Sequence, residues 1–558
     1  MSHYRSKHSR RRGGQPSVMT HDFSRIPSTN IPRSVFDRSS GYKTTFDEGL
    51  LIPFFVDEAL PGDTFHLRTS ILARLTTPIV PFMDNLKMDY FFFSVPNRLL
   101  WDNWQKFMGE QTNPGDSIDY LIPQMKTNPG AAFNVGTLAD YFGIPTGVQN
   151  LSVSALPFRA YNLIYNEWFR DENLCDSAVM DTSDGDSDIL NYSVRRRGKR
   201  HDYFTSCLPW PQKGDGVEIA LGTPTVQADG NVGFRFHNTT TSVSTPDVDS
   251  GLTFRQSDSS NDGDYRLHVP QQSLQGFDTD IWQLSGFDPN NIGLSISNAD
   301  ALTINSLREA FQLQRMLERD ARGGTRYTEI LRSHFGVISP DARVQRPEYL
   351  GGGSFDININ PVQQTGSTDT TSPQGNLAAY GLAGGYKHGF SHSFIEHCTI
   401  IGICCVRADL TYQQGLPRMF SRQTRYDFFW PTLAHLGEQE VLNKEIYAQG
   451  SGVKDGDGNV IDDQVFGYQE RFAEYRYSPS KITGKMRSTV SGTMDMWHLS
   501  QKFDQLPTLN QKFIEEDPPV ERVVAVQDEP HFLMDVFFDL KCARPMPVYS
   551  VPGYIDHF

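Results

Sequence analysis

Hydrophobic and polar residues alternate along residues 65–76, and this period of two predicts a β-strand with one buried face. Residues 86–95 are more continuously apolar and predict a more deeply buried strand, and residues 397–406 predict an apolar, β-branched one. Residues 531–540 repeat the alternation near the far end of the chain. Sheets that pair such distant segments are typical of Greek-key and jelly-roll folds. The side chains expected on one face of the last strand are Phe532, Met534, Val536, Phe538 and Leu540.

Three segments between these strands show helical spacing instead. Residues 98–110 and 156–171 are amphipathic, with apolar side chains three and four residues apart. Residues 303–335 predict one or two helices, with a break at Gly323-Gly324.

The start of this last helical segment has a candidate cap at Ser306. Glu309 follows three residues later, which is the spacing of a capping box. A helix beginning there would turn Phe311 towards the body of the protein, so we expect Phe311 to be buried.

Two segments differ in composition from the rest of the chain. Residues 211–300 contain 12 acidic and 4 basic side chains, a net charge of −8, and are rich in small polar residues. Two short alternating runs around Asp229-Gly230, within residues 226–237, predict a hairpin, so we expect a β-rich surface insertion. Residues 351–385 combine three consecutive glycines with a Ser/Thr/Gln/Gly run, and we expect a long mobile loop.

The overall composition is that of a globular protein of 558 residues. Hydrophobic residues make up 38 % and charged residues 21 %, while 51 basic and 66 acidic side chains give a net charge of −15. The sequence shows neither a signal-peptide pattern nor an apolar run long enough to span a bilayer. Its six cysteines form no CxxC pair, so we expect reduced thiols in a protein folded in cytoplasm.

Basic residues concentrate in two places on this acidic chain. Residues 1–14 contain five cations and no acid, so this arm is either a nucleic-acid contact or an inert solvated tail. The basic run, residues 195–200, is either a solvated loop neutralised by the acidic residues 181–188 or a patch for phosphates or an acidic partner. The candidate DNA-binding residues are Arg5, Lys7, Arg10, Arg11, Arg12, Arg195, Arg196, Arg197, Lys199 and Arg200.

A search for catalytic motifs finds no HExxH, GxSxG, GxxxxGK[ST] or dinucleotide-binding pattern, and no catalytic residue is assigned. Residues 455–463 resemble the start of a calcium loop but carry Val460 where the turn glycine belongs and Phe466 where the closing glutamate belongs. We therefore expect a tight turn. The spacing of His388, His392, His397 and Cys398 favours ordinary interface or turn residues over metal ligands, and neither metal nor cofactor is predicted.

Long stretches of the chain resemble the major capsid proteins of Microviridae, most closely those of the gokushovirus branch. The resemblance covers nearly the whole chain outside residues 215–300 and the 360s–370s. The segments that carry it are FDEGLLIPFFVDEALPGDTF (46–65), LKMDYFFFSVPNRLLWDNWQKFMG (86–109), ALPFRAYNLIYNEWFRD (155–171), DYFTSCLPWPQKG (202–214), TRYTEILRSHFGV (325–337), FIEHCTIIGICCVRADLTYQQGLPRMFSR (394–422) and MWHLSQKF (496–503).

This resemblance implies a mainly β fold, a single jelly roll or eight-stranded antiparallel barrel with long loop and helical insertions. It implies an internal basic arm (1–40), a first part of the body (41–213), an acidic surface insertion (214–300) and a second part of the body with helices (301–558). Subunits of this kind form pentamers, and about sixty copies close a T=1 icosahedral shell around circular single-stranded DNA.

The resemblance also implies partners. They are an internal scaffolding protein, a small basic DNA-packing protein, a DNA pilot protein and a bacterial surface receptor. The protein would be found in the virion after assembly in the cytoplasm of a bacterial host. The insertion would protrude outward and contact that host, and its candidate contact residues are Asp229, Gly230, Asn231, Phe234 and Phe236.

A second class of function is a carbohydrate-binding β-sandwich or a glycosidase built on one. It predicts a signal peptide and an aromatic platform beside paired carboxylates. The sequence shows no such signal, and none of its many acidic pairs stands out from the rest.

Overall fold

The computed structural model describes residues 32–127, 131–217, 225–228, 234–238, 253–256, 265–268, 282–287, 292–295, 304–366, 368 and 373–549. The chain divides into two units. One comprises the chain up to Pro211 and from Gly323 onward, and the other is Gln212–Arg322.

The first unit is built on strands that come from both ends of the chain. Its described strands are β1 (Ser34–Asp37), β2 (Ser40–Phe46), β3 (Ile52–Ala59), β4 (Thr64–Leu75), β5 (Leu86–Pro96), β6 (Gln124–Lys126), β7 (Ser152–Ser154), β8 (Ser187–Asp188), β15 (Glu348–Gln363), β16 (Leu377–Ser393), β17 (Cys398–Ala408), β18 (Thr411–Tyr412), β19 (Glu438–Leu442), β20 (Val465–Glu470), β21 (Ser480–Lys481) and β22 (Phe532–Arg544); those of the second unit are β9 (Thr225–Ala228), β10 (Phe234–Asn238), β11 (Thr253–Gln256), β12 (Tyr265–His268), β13 (Trp282–Phe287) and β14 (Ile292–Ser295).

Nine strands of the first unit form one antiparallel sheet in the order β1-β22-β4-β16-β15-β5-β17-β3, with β2 also paired to β22. β1 pairs with the end of β22 and β2 with its beginning, so together they act as one interrupted edge strand and the sheet has eight positions. Early strands lie beside late ones, as in β4 with β22 and β3 with β17. The expected mainly β, jelly-roll class is confirmed.

The alternating strands bury the faces that their sequences predict. All five residues expected on one side of β22, from Phe532 to Leu540, are buried, and β4 buries every second residue from Phe65 to Leu75. The sheet curls around this core and brings strands from its two ends together. The ring centre of Phe538 in β22 lies 4.9 Å from that of Phe55 in β3, the strand at the other end of the sheet.

β5 and β17 are covered on both faces, which explains their continuous apolar sequences. Phe92 lies in the core inside the curled sheet, whereas Phe93 packs on the other side with Trp168, 5.4 Å between ring centres. Tyr161 closes this outer layer, and its buried hydroxyl donates a hydrogen bond to the carbonyl of Leu51 at 2.8 Å.

Helices appear in all three predicted segments, although the first is reduced to one turn. A π-helical turn continues α3 through Phe169, and the break at Gly323-Gly324 separates α4 from α5. The described helices are α1 (Trp104–Phe107), α2 (Leu138–Tyr141), α3 (Leu156–Ile164), α4 (Ile304–Gly323), α5 (Tyr327–Phe335), α6 (Asp341–Val344), α7 (Asn443–Ile446) and α8 (Gln511–Ile514).

Two details predicted for α4 are wrong. The chain is already helical at Ile304, so Ser306 lies inside the helix and is not its cap. Phe311 is 65 % exposed, not buried. The helical spacing correctly indicated an amphipathic helix, but it did not say how deeply the apolar face is covered.

The long loop predicted over residues 351–385 is also wrong. Most of this segment belongs to β15 and β16, which pair with each other as an antiparallel hairpin. Its glycines are required by close packing: a Cβ on Gly352 would lie 2.2 Å from the carbonyl oxygen of Tyr90, and one on Gly353 would lie 2.5 Å from the Tyr90 hydroxyl. A glycine-rich sequence therefore marks close contact here, not a loop.

The described strands of the second unit form three nested antiparallel pairs. β11 pairs with β12, β10 with β13 and β9 with β14. The predicted hairpin around Asp229-Gly230 is therefore wrong, although its two strands exist. Local alternation indicated the strands, but it carried no information about partners more than forty residues away.

Candidate assembly surface and basic run

The basic run, residues 195–200, lies between two other segments of the first unit and forms backbone hydrogen bonds with both. The backbone N–H of Arg197 donates to the carbonyl of Gly49 at 2.8 Å, and that of Lys199 donates to Ile514 at 2.7 Å. Side chains of the run are therefore placed by backbone contacts on both sides, and the run is not a free loop.

Arg197 takes part in a buried ionic cluster. Its guanidinium donates to Asp89 at 2.5 Å, and Arg407 approaches the same carboxylate oxygen at 2.7 Å. Burial alone would raise the pKa of Asp89, but the Ser354 hydrogen bond and the charge of Arg197 outweigh it and hold this pKa below its ordinary value. Asp89 is therefore a charged anchor between two arginines.

The side chain of Lys199 also forms hydrogen bonds within the chain. Its ammonium group donates to the carbonyl of Phe513 at 2.6 Å and to the side chain of Gln501 at 2.9 Å. Burial lowers the pKa of Lys199, and burial likewise raises the pKa of the neighbouring Glu516. This part of the run is largely shielded from solvent.

Two of the three remaining charged groups of the run contact acids distant in sequence. Arg196 pairs with Asp517 at 2.8 Å, and Arg200 pairs with Asp409 at 3.3 Å. The guanidinium of Arg195 lies over the ring of Tyr165 at 5.7 Å.

The predicted neutralisation of this run by residues 181–188 is wrong. Asp181 instead pairs with Arg159 at 3.2 Å, and Asp186 pairs with Lys126 at 2.6 Å. Proximity in sequence was a poor guide because the run folds against segments hundreds of residues away. DNA binding by this run stays a prediction.

The other candidate residues lie mostly outside the described residues. This applies to the five cations of the arm, Arg5, Lys7, Arg10, Arg11 and Arg12, and to Asp229, Gly230 and Asn231 of the insertion. Phe234 and Phe236 lie in β10, where their backbones pair with Phe287 and Leu284.

A band of apolar side chains covers part of the outward face of the sheet. Leu72, Leu382, Leu533 and Phe537 are 39 % to 52 % exposed. Leu382 and Leu533 both lie opposite Arg74 of β4, and Leu72 is two residues before it, so the band crosses three adjacent strands. The exposed Arg74 lies among these side chains on the same face and interrupts the band, which is a candidate contact site for another molecule. The band could have been predicted from the sequence, because Leu72 in β4 and Leu533 and Phe537 in β22 are apolar at positions where the alternation predicts polar residues.

The histidines and the acidic turn are used locally. His392 packs against Phe394 at 4.8 Å, whereas His397 packs against Trp104 at 5.6 Å. In residues 455–463, one carboxylate oxygen of Asp455 accepts the backbone N–H groups of Asp457 and Asn459 at 3.0 and 2.8 Å. This is the predicted tight turn.

The six cysteines are buried and free, and burial raises the pKa of Cys404 well above its ordinary value. Within the described part of the chain, no helix combines the length and apolar character needed to cross a membrane.

The curled antiparallel sheet agrees with the comparison with known sequences. The family model described as "Capsid protein (F protein)" matches residues 24–554. The chain belongs to this capsid protein family. The resemblance to the major capsid proteins of Microviridae is thereby confirmed, and the chain is a virion structural protein of bacteriophage type.

Relatives match along almost the full chain. It is 48 % identical to "Capsid protein VP1" of Bdellovibrio phage phiMH2K and 45 % identical to that of Chlamydia phage 1. Identity to "Capsid protein VP1" of Spiroplasma virus 4 is 35 %. Each match covers 96 % of this chain and 98 % of the relative. These names agree with the expected non-enzymatic role.

Proposed function

We propose that this capsid protein assembles with copies of itself into a T=1 icosahedral shell of about sixty subunits that encloses circular single-stranded DNA. The observation that supports self-assembly is the apolar band of Leu72, Leu382, Leu533 and Phe537 on the outward face of the sheet. Burial of such a band between subunits stabilises association by roughly 25 cal/mol per Å² of apolar surface, before the entropy cost of binding.

The rigid surroundings of the band support the same role. β22 and β4, which carry most of it, belong to a sheet whose other face is fully packed, so the band is presented with little backbone freedom. A preorganised surface loses less entropy on association.

The finer parts of the proposal follow from the family. Assembly takes place in the cytoplasm of a bacterial host, with an internal scaffolding protein, a small basic DNA-packing protein and a DNA pilot protein as partners. The amino-terminal arm and the basic run contact the genome. The insertion, including Phe234 and Phe236, faces outward and attaches to a bacterial surface receptor.

The proposal is tested by introducing a charged side chain into the apolar band. Phe537→Arg places a cation in the apolar contact, while Phe537→Leu is the matched control that keeps it apolar. We expect Phe537→Arg subunits to fold with the wild-type circular dichroism spectrum but to stop before particles in sedimentation velocity. Phe537→Leu subunits should form particles. Particles of Phe537→Arg in wild-type yield would contradict the assigned role of the band.

A further inference from the structure

A second exposed surface of the first unit is rich in both aromatic and basic residues. We define the basic-aromatic face as residues 418–430 and 471–487. Five aromatic side chains in its first segment are 48 % to 67 % exposed. They are Phe420, Tyr426, Phe428, Phe429 and Trp430.

The charge of this face is opposite to that of the whole chain. Its two segments contain eight basic and two acidic residues, a net charge of +6, whereas the chain has a net charge of −15. Both acids are used internally: Asp427 accepts the backbone N–H of Thr424 at 2.7 Å, and Glu474 accepts from Arg422 at 3.3 Å. Arg418 and Arg476 pair with Glu445 and Glu470 just outside the two segments, and the face still keeps an excess of cations on an acidic protein.

Cations and rings alternate across the face. The guanidinium of Arg422 lies 4.4 Å from the ring centre of Tyr475 and 5.3 Å from that of Phe428. Arg425 lies 4.7 Å from the ring centre of Tyr426. Arg422 is itself largely covered and holds its two rings in place, whereas the exposed rings form platforms on which bases can stack.

A cavity of ≈ 320 Å³ adjoins these platforms. Its lining includes five residues of the face: Arg422, Phe420, Tyr477 and the exposed cations Lys481 and Arg487. Its volume falls at the lower end of the range for small-molecule sites, about 300–1,000 Å³, which suits a single nucleotide unit.

We propose that the basic-aromatic face binds single-stranded DNA, with Lys481, Lys485 and Arg487 on phosphates and Trp430 among the rings that stack on bases. This rests on the proposed function, since it names a genome contact in the body of the subunit. Charge disfavours a two-fold contact of this face with itself, because it would bring like-charged patches together.

Fluorescence anisotropy of a labelled oligothymidylate with the full-length, unassembled chain tests the proposal. Lys481→Glu/Lys485→Glu/Arg487→Glu should weaken binding at least tenfold and lower the salt slope by roughly 2, at ~0.7 per phosphate contact. The control reverses three exposed lysines elsewhere, Lys106, Lys454 and Lys512, and should retain most of the affinity. Trp430→Ala should weaken binding about tenfold, and the exposed Tyr380→Ala should not.

Particle formation by the same variants separates the two proposals. Equal loss of affinity in the face and control triples would overturn the inference, because overall charge alone would then explain binding. Wild-type DNA affinity with failed particle formation in the face triple would also overturn it and would make the face a contact between copies. A wild-type chain that binds DNA through this face without forming particles would support the inference and contradict the proposed function.

Discussion

At the scale of single residues, buried charges hold distant parts of the chain together. Asp89 joins Arg197 and Arg407, and His531 joins the start of the last long strand to Glu48. Each charge is partnered at hydrogen-bond distance, which offsets the cost of removing it from water. Removing one partner would leave the other charge buried and unpaired.

His531 gives the subunit a predicted pH dependence. Its ring Nδ1 donates to Glu48 at 2.8 Å, and this bond, with the charges of Glu48, Asp47 and Glu521, raises the pKa of His531 above 6.5 despite burial. A raised histidine pKa adds stability that is complete below 6.5 and is lost as pH rises through the folded-state pKa. The Tm advantage of the wild-type subunit over His531→Gln should therefore shrink from acidic to alkaline pH. A constant or growing advantage would contradict this assignment.

At the scale of elements, the hairpin of β15 and β16 depends on glycines at close contacts. Gly352 lies against the backbone of Tyr90 in β5, whereas a Cβ on Gly384 in β16 would have nothing within 4 Å. The same residue type therefore has different roles in two paired strands.

This difference predicts unequal effects of alanine. Gly352→Ala should lower the free energy of unfolding by about 1–3 kcal/mol or more, because the Tyr90 carbonyl belongs to a buried strand and yields little. Gly384→Ala should change it by no more than about 0.5 kcal/mol. Urea unfolding of the two variants measures both values. Equal loss of free energy of unfolding in the two variants would show that the close contact of Gly352 with Tyr90 does not determine the effect of alanine.

The sequence predicted elements better than it predicted contacts. β4 and β22 were recognised because alternation is local, and their buried faces were correct. β15 and β16 were missed because glycines at close contacts resemble a loop. The partners of the basic run could not be predicted, since Arg197 and Asp89 are 108 residues apart. The apolar band was missed because one apolar face per strand was assumed.

At the scale of the whole molecule, the outermost described strands of the insertion pair with each other. Thr225 of β9 lies opposite Ser295 of β14, so these two residues near the ends of the insertion are neighbours. A short linker can join such ends, and the free energy of loop closure depends only weakly on length.

Replacing residues 220–295 with a short Gly/Ser linker should therefore leave soluble, assembly-competent subunits. Particles built from them should retain DNA and lose adsorption to the host. Replacing only residues 253–268, the innermost pair, is the milder control. Insoluble subunits from the larger replacement would show that the insertion is required for folding.

The central claim is closed self-assembly, and the mass of the assembled particle tests it most directly. The subunit has a mass of 63.0 kDa, so a shell of about sixty copies should weigh about 3.8 MDa without its genome. We expect charge-detection mass spectrometry of the assembled protein to give one narrow peak near that value. A protein that stays monomeric, or forms only small oligomers or open aggregates of continuous mass, would contradict the account.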